Sequence, residues 1–398
     1  MFDLPGLWTN LLASAIWFLG GFGAAWLIRT YAARRLRGRT EQRLLKNNAR
    51  YAADWIRRYY SDRSLYEDLF EVNTTTAPIR IPSLVIPAWL TGSGSSPAIS
   101  SPSLPRSNVR VIRKEIKRRE QMAALTSSLG RMWDADILFV SRIETRPASL
   151  PELTLGVCRY FQFLSTCGRL ETETLRAVSG RSRRTPLRDE HLANAWSAAE
   201  CTLGAQGLGA QVCLTFLRDD VVMVVLQQRS GAVVTYVDSY SVAPVFACEP
   251  EKGGRPLQGD WLWRNFVREY LEELHDVEEL QDPGGRHVLS DWFLEHPESQ
   301  RLSSWRESGE LSFDVLGVSV DALNGEVNLA CNVHISSPNF VTDVLPSLLH
   351  NWESSGYIIE PLSSVELDAE ILADRFQPGA LVSLELTRRS RLAERGAQ

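Results

Sequence analysis

Apolar positions along this chain change period several times, and each change marks an element. The longest feature has no period. Leu7 to Ile28 is almost wholly apolar and carries no charged residue. At about 1.5 Å per residue it is long enough to cross a hydrocarbon core of roughly 30 Å. Trp8 and Trp26 stand near its ends, where interfacial indoles are favoured. Next, Leu44, Leu45, Tyr51, Ala52, Trp55, Ile56 and Tyr59 recur at helical spacing among basic residues. Thr74 to Ser107 is rich in Pro, Ser, Thr and Gly, with short apolar pieces at Ile79–Pro82 and Ile86–Leu90, and reads as a linker; Val109 to Met122 is charged and helix-prone. Strand character follows at Ile137–Val140 and Leu153–Phe163, with helices at Leu170–Arg176 and Glu190–Thr202. Gln211–Leu217 and Val221–Gln227 form a hairpin pattern around Arg218-Asp219-Asp220. Ala232–Val237 and Ser241–Ala247 are further strands, and Trp261 to His275 has a helical period. Val288–Leu294 reads as a short helix, Leu311–Val320 and Glu326–His334 as strands, Phe340–Trp352 as a helix kinked at Pro346, and Leu381–Leu386 as a last strand.

Charge gives the first segment a direction. Only Asp3 precedes the uncharged run, whereas Arg29, Arg34, Arg35, Arg37, Arg39, Arg43, Lys46 and Arg50 follow it. The positive-inside rule puts the N-terminus outside the cell inner (plasma) membrane and the rest in the cytoplasm, as a single-pass protein. A cleaved signal peptide would carry its positive charge ahead of the run. A buried helix of a soluble domain is the alternative. The basic stretch would lie against lipid head groups or serve only as the topology signal. Gly20 and Ala24 form a small-xxx-small pair that would allow helix association into a homo-oligomer.

Composition narrows the rest. The 398 residues suffice for two domains, and 44% hydrophobic with 23% charged residues is a globular balance. A net charge of -5 gives no reason to expect a nucleic-acid partner. Cys158, Cys167, Cys201, Cys213, Cys248 and Cys331 include no C-x-x-C pair, so they read as buried thiols of a reducing compartment. Arg181 to Arg184 is a basic loop, either solvated or contacting phosphate.

The informative stretch runs from Gly253 to His275. Trp263, Phe266, Val267, Tyr270 and Leu274 form one apolar stripe of its helix, while Glu269, Glu272 and Glu273 share another face. Clustered carboxylates repel unless water or a cation compensates them, and hard oxygen donors suit Mg²⁺ or Mn²⁺. The stretch resembles a Nudix box, G-x5-E-x7-R-E-U-x-E-E-x-G-U, in which U is a bulky aliphatic. Gly254 matches the leading glycine, and Arg268, Glu269, Glu272 and Glu273 match in register. Asp260 stands for the first glutamate, Tyr270 for the first U, His275 for the second glycine and Asp276 for the last aliphatic.

The resemblance implies an α/β (α+β) fold: an α/β/α sandwich with a mixed sheet over about 203–388. It would be preceded by a short outer N-terminus (1–6), a transmembrane helix (7–28), a basic juxtamembrane helix (29–73), a linker with a charged helix (74–131) and an α/β extension (132–202), and followed by a tail (389–398). It also implies a catalytic set of Arg268, Glu269, Glu272 and Glu273. Glu269, Glu272, Glu273 and a backbone carbonyl at Gly253 or Gly254 would hold Mg²⁺ or Mn²⁺, with Glu269 either ligand or base. Arg268 would hold the acids together, in part through Asp260; Gly253, Gly254, Asp260 and His275 would shape the box. His275 would cap the helix or face solvent. Glu307 and Glu310 are candidates for one more acidic ligand, and Trp261, Trp263 and Trp292 are either core or base-stacking residues.

Two functions fit. One is a membrane-anchored hydrolase cleaving a diphosphate linkage in a nucleoside diphosphate-linked small molecule. The other is a catalytically inactive nucleotide-binding sensor or regulatory module at the membrane. The intact glutamates favour the first; His275, Asp276 and the anchor favour the second.

Overall fold

The computed structural model describes residues 51–86, 90, 134–144, 151–230, 236, 238–250, 260–278 and 292–396. All of them belong to the unit Ala49–Gln398. The candidate span 7–28, Gly253, Gly254 and the expected elements at 109–122 and 232–235 thus lie outside the described residues. Among the described residues, no helix is long and apolar enough to cross a membrane.

The strands are β1 (Leu69–Val72), β2 (Ile79–Leu84), β3 (Asp136–Glu144), β4 (Glu152–Arg159), β5 (Gln206–Arg218), β6 (Val221–Arg229), β7 (Tyr240–Val242), β8 (Val245–Ala247), β9 (Leu311–Asp321), β10 (Val327–Ile335) and β11 (Ser354–Pro361). The helices are α1 (51–61), α2 (Tyr160–Val178), α3 (Pro186–His191), α4 (Ala195–Ala199), α5 (Trp261–Leu274), α6 (Pro297–Ser308), α7 (Val365–Leu372) and α8 (Pro378–Gly396).

The sheet is mixed and branched, in the order β1-β2-β9-β10-β5-β3-β4. β5 runs parallel to β10 and antiparallel to β6. After the hairpin at Asp219 and Asp220, both at positive φ, β6 peels away to pair with β11 and β7. β8 then takes the freed edge of β5 at Gly209–Gln211. Successive residues of a strand point to opposite faces. On β9, Phe313 meets Trp263 and Phe266 of α5, while Ser312 lies beside Arg391 of α8. The two helices therefore cover opposite faces, an α/β/α arrangement, and one core cluster runs from Ala52 to Leu386.

Several elements differ from the sequence expectation for stated reasons. Ile79–Leu84, read as part of a linker, is a strand hydrogen-bonded between β1 and β9, and Ile81, Ser83 and Leu84 are buried there. The basic helix α1 buries Ala52, Ile56, Tyr59 and Tyr60, and Arg57 is held by Asp374 and Asp54 rather than turned outward. The strand expected through Phe163 ends at Arg159, where Tyr160 opens α2. The helix expected at Glu190–Thr202 is two short ones, divided at Asn194, which caps the second through Ser197 N–H. Phe340–Trp352 gives only helical turns to Ser347, since Pro346 cannot donate to a helical ladder. The alternating run Ser383-Leu384-Glu385-Leu386-Thr387 mimics a strand, yet it lies in α8. Pro378 to Arg388 of that helix is buried, so its polar residues there are internal partners. Ser383 Oγ lies 2.8 Å from the Gln211 carbonyl and 2.7 Å from that of Cys331, and Glu385 accepts from Asn73 and Arg389. β11 and α7 were not foreseen.

Candidate functional site

α5 is a helix because Trp261 to Leu274 contains neither Gly nor Pro and carries one broad apolar face at helical spacing. Trp261, Trp263, Phe266, Tyr270 and Leu274 enter the core, so Trp261 and Trp263 are packing residues. The acidic face is covered too: Glu272 and Glu273 are 5% and 2% exposed. It is not a solvated face.

The helix leaves without glycine. His275 has φ -126, and the left-handed residue is Asp276, at φ 52. Asp tolerates that region better than most side chains. His275 neither caps carbonyls through its ring nor faces solvent. The ring packs on Tyr270 at 4.9 Å, its Nε2 is buried without a partner, and burial lowers its pKa to about 4, with His296 and Arg301 adding.

Arg268 gathers the acids. Its guanidinium lies 2.6 Å from Glu269, 3.5 Å from Glu272 and 3.4 Å from Glu249. Asp260, the expected partner, is turned to Arg306 at 3.1 Å on the exposed side. Glu249 takes that place because Asn265 of α5 clamps its backbone, accepting from Glu249 N–H at 2.8 Å and donating to its carbonyl at 3.2 Å. Glu273 points the other way. It accepts from Gln227 Nε2 at 3.2 Å and from Val245 N–H at 3.2 Å, and its carbonyl accepts from the Tyr357 hydroxyl.

Glu353, just before β11, completes the group. Ser230 N–H donates to its carbonyl at 2.7 Å, fixing it at the end of β6. Its charge acts on both Glu269 and Glu273. Burial holds Glu269 well above the usual carboxylate range; Arg268 opposes this, while Glu272, Glu249 and Glu353 add to it. Burial, then Glu353 and Glu269, likewise raise Glu273 against Arg229 and the Val245 N–H. Glu353 is raised by burial against Arg229.

Box spacing found Arg268, Glu269, Glu272 and Glu273 but missed Glu249 and Glu353, which lie outside any motif. Glu307 is exposed and Glu310 accepts from Ser308 on the surface, so neither supplies the added acid. All six cysteines are free and buried.

Among the described residues, no group of three Asp, Glu, His or Cys is drawn together tightly enough to hold a metal ion, and Arg268 stands on both Glu269 and Glu272. The chemistry of the donor set nonetheless fits a hard divalent cation. Five carboxylates, Glu249, Glu269, Glu272, Glu273 and Glu353, surround two guanidiniums, Arg268 and Arg229. These donors are oxygen-based and largely shielded from water.

No family model matches the sequence, and no curated protein matches it. Among solved structures it is similar to the NUDIX domain of Shewanella oneidensis NrtR complexed with ADP ribose. That likeness has 16% identity and a TM-score of 0.27, over 47% of this chain and 89% of that one. It is also similar to an Ap4A hydrolase of C. elegans, at 12% identity and a TM-score of 0.26 over 48% of this chain and 98% of that one. A NUDIX hydrolase from Alicyclobacillus acidocaldarius gives 13% identity and 0.28, over 47% and 94%. Scores of this size do not establish a common fold, so the functional reading rests on α5 and its carboxylates.

Proposed function

We propose that this chain is a Nudix-type hydrolase that cleaves a diphosphate linkage in a nucleotide derivative with Mg²⁺ or Mn²⁺, anchored to a membrane by residues 7–28. The observation that carries the reading is the buried cluster of carboxylates around Arg268 and Arg229, at the register of a Nudix box. A divalent cation bound there would neutralise phosphate oxygens and polarise the bond to the leaving group. Glu272 and Glu273 would hold it, with Glu269 as a third donor and a carbonyl of Gly253 or Gly254 as a backbone one. Arg268 holds Glu269 and Glu272 together through its guanidinium. Glu269 and Glu353, whose proton affinity is raised by burial, are the groups suited to take a proton from attacking water. The uncharged run from Leu7 to Ile28 and the basic residues after it support the anchor.

A second reading is favoured by one contact: Arg268 occupies Glu269 and Glu272 together. If that contact persists with ligand, the domain binds a nucleotide derivative without cleaving it. The test is turnover of a panel of nucleoside diphosphate derivatives by the full chain with Mg²⁺ or Mn²⁺, with Glu272→Gln as control. Metal-dependent product release lost in the variant supports the hydrolase. Ligand-induced thermal stabilisation without turnover supports the binding module.

A further inference from the structure

Arg229 ends β6, and its backbone is fixed on both sides: its N–H donates to the Ser239 carbonyl at 2.8 Å, and it pairs with Ser354 of β11. Residues two apart on a strand share a face. Gln227, two residues earlier, places Nε2 on Glu273 at 3.2 Å, so Arg229 lies on the side of β6 that faces the carboxylates of α5. At roughly 3.3 Å per residue the two Cα atoms are about 7 Å apart. The charge of Arg229 acts on Glu273 of α5, Glu353 before β11, Glu326 before β10 and Tyr160 of α2. Groups from four elements therefore surround it.

Yet Arg229 is only 8% exposed, and its Nε is buried without a hydrogen bond. Among the described residues no carboxylate lies within ion-pair distance of its guanidinium. The facing Gln227 Oε1 is also buried and unpartnered. A buried guanidinium normally satisfies its fork-shaped donors, and its neighbours here stand back from it. The oxygens of an anion would supply the acceptors that this fork lacks.

We propose that Arg229 binds a phosphate group of the ligand, opposite the carboxylates of α5. This rests on the reading of the site above for the position of the diphosphate. Arg229 would donate through its fork to one phosphate while the α5 end of the site takes the other with its cation.

The test uses the full chain and two probes, inorganic pyrophosphate with Mg²⁺ by calorimetry and Mn²⁺ alone by electron paramagnetic resonance. Arg229→Gln is expected to weaken pyrophosphate binding at least tenfold and Arg229→Lys by less. Mn²⁺ binding should be kept or tightened in both, because a cation has been removed beside its donors. Pyrophosphate binding by Arg229→Gln equal to wild type overturns the proposal, and so does a wild-type chain that binds Mn²⁺ but not pyrophosphate. If Arg229→Gln does not fold, Arg229→Lys decides, since unchanged affinity there overturns the role of the fork. Wild-type binding of pyrophosphate that depends on Arg229, without any Mn²⁺ binding, would support Arg229 while removing the metal-dependent reading.

Discussion

Glu171 on α2 should be a liability that the chain carries at neutral pH. It is 8% exposed, its Oε1 has no partner, and Asp321 and Glu326 lie near enough to act on it. Burial first, then these two acids, push its pKa up to about 8, from 4.5. A group whose folded pKa is raised binds its proton more tightly when folded. Its contribution favours folding at low pH and is withdrawn as pH rises from the unfolded value towards the folded one. Between about pH 5 and 7 the unfolded chain ionises Glu171 while the folded chain does not. Each pH unit corresponds to about 1.4 kcal/mol, so up to ~2.5 kcal/mol is lost over that interval. Glu171→Gln removes the ionisation and keeps the shape. The variant should match wild type near pH 5 and exceed its unfolding free energy by about 2 kcal/mol at pH 7, read from urea unfolding of the full chain in mild detergent. Equal pH dependence in the two proteins, or a variant less stable at pH 7 than at pH 5 relative to wild type, would refute the argument.

Other expectations follow from the same site and chain. Arg268→Gln leaves Glu249, Glu269 and Glu272 without their shared cation; the loss should be about 3 kcal/mol, as measured by urea midpoint. Arg268→Lys should recover only part of it, because a point charge cannot reach three carboxylates in the way a planar fork does. The full-length chain should stay with membranes in high salt and leave them only with detergent; release by salt alone counts against the span.

What was legible in the sequence was local. The spacing of Arg268, Glu269, Glu272 and Glu273 placed them together, and the aromatic stripe beside them explained why their helix is buried. The β5–β6 hairpin was legible because its turn separates two runs of β-branched residues. Glu249 and Glu353 were not legible, since each is brought to the site by a backbone contact made elsewhere: Asn265 clamps one and Ser230 the other. Asp260 held the expected spacing but lost Arg268 to Glu249, which approaches from the buried side. α8 departs from the expected strand because Pro378 to Arg388 is buried and presents no polar face. Its Ser383, Glu385 and Thr387 are buried partners, and their alternation with leucines copies the period of a strand.

The balance of charge at α5 also limits how a cation can bind. Among the described residues, five carboxylates stand against two guanidiniums in a setting that disfavours ions. Protons are the first remedy, as the raised affinities of Glu269, Glu273 and Glu353 indicate. A divalent cation must displace those protons, so binding must release them. The sign is fixed: raised pKa values mean that these ligands keep their protons to higher pH than ordinary carboxylates do, and raising the pH removes the competitor. Mn²⁺ affinity should therefore climb as the pH is raised, by up to about tenfold per unit for each proton released. The same titration in two buffers of different ionisation enthalpy should reveal the proton release as a difference in apparent heat. A flat affinity with no buffer dependence would mean that the acids are already ionised. Their charge would then have to be balanced by something other than protons, and the case for a cation at this helix would lose its physical basis.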